Sequence, residues 1–362
     1  MSVPAAASST QMREVLADPV WFLQDYDTAT RKLRFVRTTR DALANQPFLA
    51  EGMWDYTPLP QVLIPENAIA GALPESAELP RANFIWHTAF CCSTLMARAL
   101  DHEGRNLSLK EPGVLLTVAD AKRQRAMGPG RPLSYRFPEI ALRLLARPFA
   151  PGEQMTMKPT NSGNYALRDA IALTKGKHLF LYSDCRSFVI SIAKKGEYGR
   201  RYVRDLYTRI LGDGNEQGGW PVQQVFAYSD LQLAAIVWHM QIAEFHRSWP
   251  MLKDGRAASL DCDAFLAEPL EALAKIDEFL GLGLGREHLA SVVSGPIFAQ
   301  HSKDTGSAYG IASRRADHDA AAASIARDLD EIVAWSYDLC RRTPVDCPVP
   351  QPLIPMEKAY RP

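Results

Sequence analysis

The sequence has no net charge, no paired cysteine motif and no long apolar run, and each absence removes a class of function. Lys+Arg and Asp+Glu are equal at 41 each, so no general basic field argues for nucleic acid or an anionic membrane. Any basic site must therefore be local. The six cysteines, Cys91, Cys92, Cys185, Cys262, Cys340 and Cys347, form no CxxC pair and no regular spacing. Neither a zinc site nor a disulfide framework is indicated, and a reducing cytoplasm is the expected compartment. The opening MSVPAAASSTQMREV holds no basic n-region followed by an apolar h-region, so no export is expected. The most apolar helical stretch, residues 231–245, is broken by Gln232, His239 and Gln241, which argues against a membrane span. His87, His239 and His246 have no metal-like company and read as structural; no metal is expected.

What is present is the material of an α/β protein. With 362 residues, 47% of them hydrophobic, the chain can bury a large core in one α/β domain with extensions or in two domains. Apolar runs bounded by turns, such as KHLFLYS at 177–183 and residues 257–260, read as buried strands. Helices are read at 114–125, 138–145, 188–195, 197–211 and 231–249, with an amphipathic one at 264–280 and a last one at 317–342. This alternation predicts a mostly parallel central sheet with helices on both faces. Residues 1–80 read as an N-terminal extension packing on the core, with the proline-bearing stretch 57–80 as a surface linker. Residues 81–342 read as the α/β domain and 343–362 as a Pro-rich tail that cannot continue a helix.

The stretch at 84–112, FIWHTAFCCSTLMARALDHEGRNLSLKEP, organises the rest. It reads as a buried strand, a tight loop over residues 88–92, a helix opened by Ser93-Thr94 and a second short strand. A loop between a strand end and a helix start gathers backbone N–H groups where the helix dipole also favours negative charge, and such a place binds phosphate or sulfate. The fit to GxxxxGK[ST] is partial: Ser93 or Thr94 supplies the hydroxyl, while the glycines and the lysine are missing, which disfavours ATP. The plain alternative is a strand, a turn and an N-capped helix without a ligand.

This stretch resembles the 5′-phosphosulfate loop of the sulfotransferase family, with residues 88–92, Ser93-Thr94 and Glu111-Pro112 as its parts. Three further stretches, MKPTN, LYSDCRSFVISIAKKG and SLDCDAFLAEPLEALAKIDEFLGL, match in the family's chain order, followed by HSKDTGSAYGIASRR. The resemblance implies a P-loop-NTPase-like three-layer sandwich and a sulfuryl transfer from 3′-phosphoadenosine 5′-phosphosulfate to a hydroxyl or amine of a small molecule or glycan. It places Ala89, Phe90, Cys91, Cys92, Ser93 and Thr94 in the donor loop, Arg186 and Ser191 at the 3′-phosphate, and Lys303, with Arg314 behind it, in a late basic loop closing over that phosphate. Lys158 corresponds to the lysine of the family's Lys-Thr-His segment and would stabilise the transferring group. Thr160 stands where many members carry the catalytic histidine, which makes Glu111 the candidate base. Phe90 stands where many members place a cation, a charge that Lys110 or Lys158 would have to supply. Two other readings stay open, a kinase-like nucleotide enzyme and a non-catalytic nucleotide-binding protein that keeps the fold.

Overall fold

The structure, a computed structural model, describes residues 9–50, 52–73, 78–126, 136–213, 227–253, 255–300, 302, 310–340 and 349–355. The chain divides into two compact units. One comprises Met1–Ile85, Met96–His178 and Leu280–Leu284, the other Trp86–Leu95, Leu179–Phe279 and Gly285–Pro362.

In the first unit, β1 (Trp21–Asp27), β2 (Lys32–Arg37) and β3 (Gln61–Pro65) form an antiparallel sheet in that order. The turn between β1 and β2 is made by Asp27, whose carboxylate accepts from the N–H groups of Ala29 and Thr30 and from the Thr30 hydroxyl. β3 corrects the sequence reading of residues 57–80 as a linker. Its alternation is only five residues long, with Val62 and Ile64 buried, and too short to register as a period. Helix Glu66–Ala72 follows it directly.

A second sheet has the order β5-β6-β4-β7-β8, with β4 Asn83–His87, β5 Asn106–Lys110, β6 Gln154–Lys158, β7 His178–Tyr182 and β8 Ala257–Asp261. β6 runs parallel to both β4 and β5. Every residue of β4, β5, β7 and β8 is buried, so both faces of these strands are covered. This is the predicted α/β architecture. From β4 the chain steps outward to β5, returns to β6, and then crosses to β7 on β4's other side. The loop leaving β4 therefore sits where the strand order reverses, the place at which open α/β sheets bind ligands.

In the second unit the helix after β7, Cys185–Lys194, starts earlier than the sequence predicts because Asp184 caps it through the Ser187 N–H. Helix Asp230–Ser248 carries a full capping box at Ser229 and Gln232. The stretch read as one helix over 264–280 is two, Cys262–Ala267 and Pro269–Leu280, with the proline opening the second. The stretch read as 317–342 is likewise two, Ile311–Ser324 and Ala326–Leu339, divided at Ile325. Residues of the Pro-rich tail pair with β8: Ser259 N–H donates to Gln351 O at 3.0 Å and Leu353 N–H to Ser259 O at 2.9 Å. That pairing occupies backbone groups on a sheet edge. Among the described residues no helix is long and apolar enough to cross a membrane.

Candidate functional site

The loop after β4 is held in an unusual backbone conformation. Ala89, Phe90 and Cys92 have φ of 70°, 54° and 61°, a region that side chains other than glycine's disfavour. Each such residue stores on the order of 1–3 kcal/mol, which persists only where the surroundings over-determine it. Here they do. The Ala89 N–H donates to His87 Nδ1 at 3.1 Å. Thr88 N–H and the Cys91 thiol both donate to Leu181 O, at 3.3 and 3.5 Å. Arg314 Nη2 donates to Phe90 O at 2.9 Å. Because glycine adopts positive φ freely, Ala89→Gly should leave stability unchanged or raise it by up to about 1 kcal/mol, against the usual loss of about that size. Urea unfolding checks this; a loss above 1 kcal/mol would show that the loop carries no strain at Ala89.

A cavity of about 140 Å³ opens on this loop, lined by Phe90, Cys92, Ser93, Thr94, Ser191, Lys194, Lys195, Ser302, Gly310 and Arg314 with apolar neighbours. A second, of about 310 Å³, shares Phe90, Ser191, Leu266, Ile311 and Arg314 and adds Ser183, Asp263 and His318. Arg314 is the cation common to both. Burial works against its charge, but the sulfurs of Cys92, Cys262 and Cys91 more than offset that and hold its pKa above the ordinary arginine value. Lys194 joins Ser191 on the cavity wall because three residues along a helix return to the same face, and its ammonium also pairs with Asp317 at 2.8 Å. That spacing, readable in SFVISIAKKG, is the signal that identifies Lys194.

The other predicted residues are placed as follows. Arg186 lines neither cavity; its side chain is 48% exposed and pairs with Asp330. Lys303 lies outside the described residues. Lys110 is not available as a replacement cation, which corrects the sequence reading. It is fully buried and donates to the carbonyls of Leu43, Ala44 and Ser108, and burial pulls its pKa down to about 8. It serves the C-terminal end of helix Arg40–Asn45.

Within the first unit, Glu111 follows β5 with φ 55°, another strained non-glycine position. Its N–H donates to Lys158 O at 2.7 Å, and Lys158 Nζ meets its Oε1 at 2.6 Å. The Lys158 side chain is 1% exposed and that of Glu111 19%, so the lysine is the more deeply buried partner. The Thr160 hydroxyl lies 3.4 Å from that of Ser162. Among the described residues no group of His, Cys, Asp or Glu is arranged to hold a metal ion.

No protein-family model matches this sequence, and no curated protein matches it. Among solved structures it resembles the sulfotransferase domain from the curacin biosynthetic pathway, at 14% identity and a TM-score of 0.43, over 69% of this chain and 99% of that one. It also resembles the sulfotransferase domain of the Synechococcus PCC 7002 olefin synthase, at 15% identity and a TM-score of 0.38, over 70% of this chain and 98% of the other. For sulfotransferase STF9 from Mycobacterium avium the values are 11% and 0.37, over 74% and 79%. Likenesses this distant decide nothing about the site, whose reading rests on its own residues.

Proposed function

We propose that this protein is a sulfotransferase that moves a sulfuryl group from 3′-phosphoadenosine 5′-phosphosulfate to a hydroxyl or amine of a small molecule or glycan. One observation carries the reading. Three stretches far apart in sequence, the loop with Ser93 and Thr94, the helix with Ser191, and the late segment with Ser302, Gly310 and Arg314, line a single cavity at the end of β4. They are the stretches that sulfotransferase-like sequence assigns to the donor nucleotide, and hydroxyls with cations are what a phosphosulfate requires. Sulfuryl transfer spreads negative charge over oxygens, so fixed cations and N–H groups do most of the work. The resemblance to sulfotransferases gives Lys158 the role of stabilising the transferring group and Glu111 that of taking the acceptor's proton.

Binding without transfer is a second reading, favoured by Phe90. Its ring packs edge-on against Phe188 and Tyr202, with centroids 5.9 and 5.4 Å apart, so an apolar cluster fills a position where sulfotransferases commonly have a cation. Adding 3′-phosphoadenosine 5′-phosphate or ATP in a thermal-shift assay tests both readings against a kinase-like enzyme. At a hundred times its dissociation constant a ligand stabilises by about 2.7 kcal/mol. A response to the 3′-phosphorylated nucleotide and none to ATP is expected; the reverse overturns the proposal.

The two sequence-assigned 3′-phosphate residues should behave differently. Ser191→Ala should weaken 3′-phosphoadenosine 5′-phosphate by about threefold to tenfold, the worth of one hydrogen bond. Arg186→Ala should change it by less than about twofold, since that guanidinium is exposed and paired with Asp330. Calorimetric titration of both variants checks this, and a larger effect at Arg186 would move the phosphate out of the cavity.

A further inference from the structure

Cys92 and Cys262 stand in hydrogen-bond contact, although nothing in their spacing along the chain suggests it. Cys92 belongs to the strained loop and borders the cavity, partly exposed. Cys262, at the first turn of helix Cys262–Ala267, is wholly buried. Arg314 Nη2 lies 3.7 Å from Cys262 Sγ. Cys91 is differently engaged: it is buried, with its thiol turned to Leu181 O. The site thus combines an accessible thiol, a second thiol in contact behind it, and a guanidinium beside them.

We propose that Cys92 and Cys262 form a redox-modification site, in which a hydroperoxide closes a disulfide between the loop after β4 and the helix after β8. The thiolate is the reactive form, and a neighbouring guanidinium favours it. The hydrogen bond to Cys92 and then burial push the Cys262 pKa well above the ordinary thiol value. Cys92 is the partly exposed member of the pair and borders the cavity, so it is the sulfur that a small oxidant reaches. The Cys92 thiolate attacks one peroxide oxygen, the O–O bond breaks, and the other oxygen leaves as water after taking a proton, or as the alcohol of an organic peroxide. The Cys262 sulfur then attacks the sulfenic acid sulfur, the S–O bond breaks, and the hydroxide departs with the Cys262 proton as water. Two thiols lose two electrons and one peroxide gains them. The bond ties Cys92, a residue of the cavity wall, to Cys262.

The cross-link follows from the thiols alone, whereas its effect on a nucleotide rests on the function proposed above. The test treats the full chain with hydrogen peroxide, blocks free thiols, and maps peptides without reduction. A peptide pair joined through Cys92 and Cys262, released by dithiothreitol, is expected. Arg314→Met should slow its formation by roughly tenfold. In Cys262→Ser, or in Cys262→Ala should the buried hydroxyl impair folding, no cross-link forms and dimedone traps sulfenic acid on Cys92. Oxidised parent protein should lose most of its thermal response to 3′-phosphoadenosine 5′-phosphate and regain it on reduction. A Cys91–Cys92 bond, sulfinic acid on Cys92 without a cross-link, or an unreacted Cys92 overturns the proposal. If the reduced protein ignores the nucleotide while the cross-link forms, the sulfotransferase reading falls and the redox site stands.

Discussion

Glu111→Gln is expected to lower sulfuryl transfer roughly a hundredfold or more while leaving 3′-phosphoadenosine 5′-phosphate binding close to that of the parent protein. The amide keeps the shape of the carboxylate and its place after β5, but it cannot accept a proton from the acceptor. Its effect on the fold is a separate matter, because Lys158 is the more deeply buried partner and loses its counter-charge. A buried charge left without its partner typically costs about 3–5 kcal/mol, and the 19% exposure of Glu111 lets water reduce that figure here. Lys158→Met removes the charge altogether, so it should lower transfer with a smaller loss of stability, and it should also weaken the donor, whose sulfonate the ammonium would meet in the ground state. Rates with a turned-over acceptor, set beside unfolding curves for both variants, separate the roles. If activity in Glu111→Gln falls only in proportion to the unfolded fraction, the pair is structural and the base lies elsewhere.

The strained φ at Glu111 and in the loop after β4 bears on the same point. Four non-glycine residues in the left-handed region, each following a strand of the same sheet, are not what local preference would choose. Their strain is balanced by bonds from distant residues: Arg314 to Phe90 O, Lys158 to the Glu111 carboxylate, and Leu181 O accepting from Thr88. Sequence reading expects glycines at such places and finds Ala89, Phe90 and Cys92, so the loop's geometry is not legible from composition. Its position is legible, because FIWH ends in small residues followed by Ser93-Thr94, and that pattern is local.

The same distinction runs through the fold. Strands such as HLFLY are visible because burial on both faces leaves no alternation to misread, and the Asp184 and Ser229 caps mark helix starts within a few residues. β3 and the divisions at Pro269 and Ile325 are hidden because each turns on one or two residues inside a longer pattern. Side-chain roles are harder still. Arg186 follows a strand just as a phosphate-binding arginine would, yet Asp330, far along the chain, takes it. Lys110 lies beside the candidate base in sequence, yet helix Arg40–Asn45 occupies its ammonium. Only tertiary contacts decide which of several cations faces a cavity.

Arg314 is the residue on which that decision has its largest consequence. It reaches both cavities from helix Ile311–Ser324 and, through Phe90 O, holds the loop that carries Ser93 and Thr94. Arg314→Met removes a cation from the place proposed for a phosphate or sulfonate, where charge-assisted bonds are worth about 1.5–3 kcal/mol. The expected loss is about tenfold to a hundredfold in affinity for 3′-phosphoadenosine 5′-phosphate. Arg314→Lys should fall between the two, since an ammonium keeps the charge but cannot bond an anion and the Phe90 carbonyl through one planar fork. Isothermal titration at low and high salt provides the test, because losing a binding cation also flattens the salt dependence. Should all three proteins bind alike, Arg314 is a prop for the loop and the nucleotide lies elsewhere. Should Met weaken binding while Lys restores it fully, charge alone is what the cavity supplies, and the hold on Phe90 O is incidental to recognition.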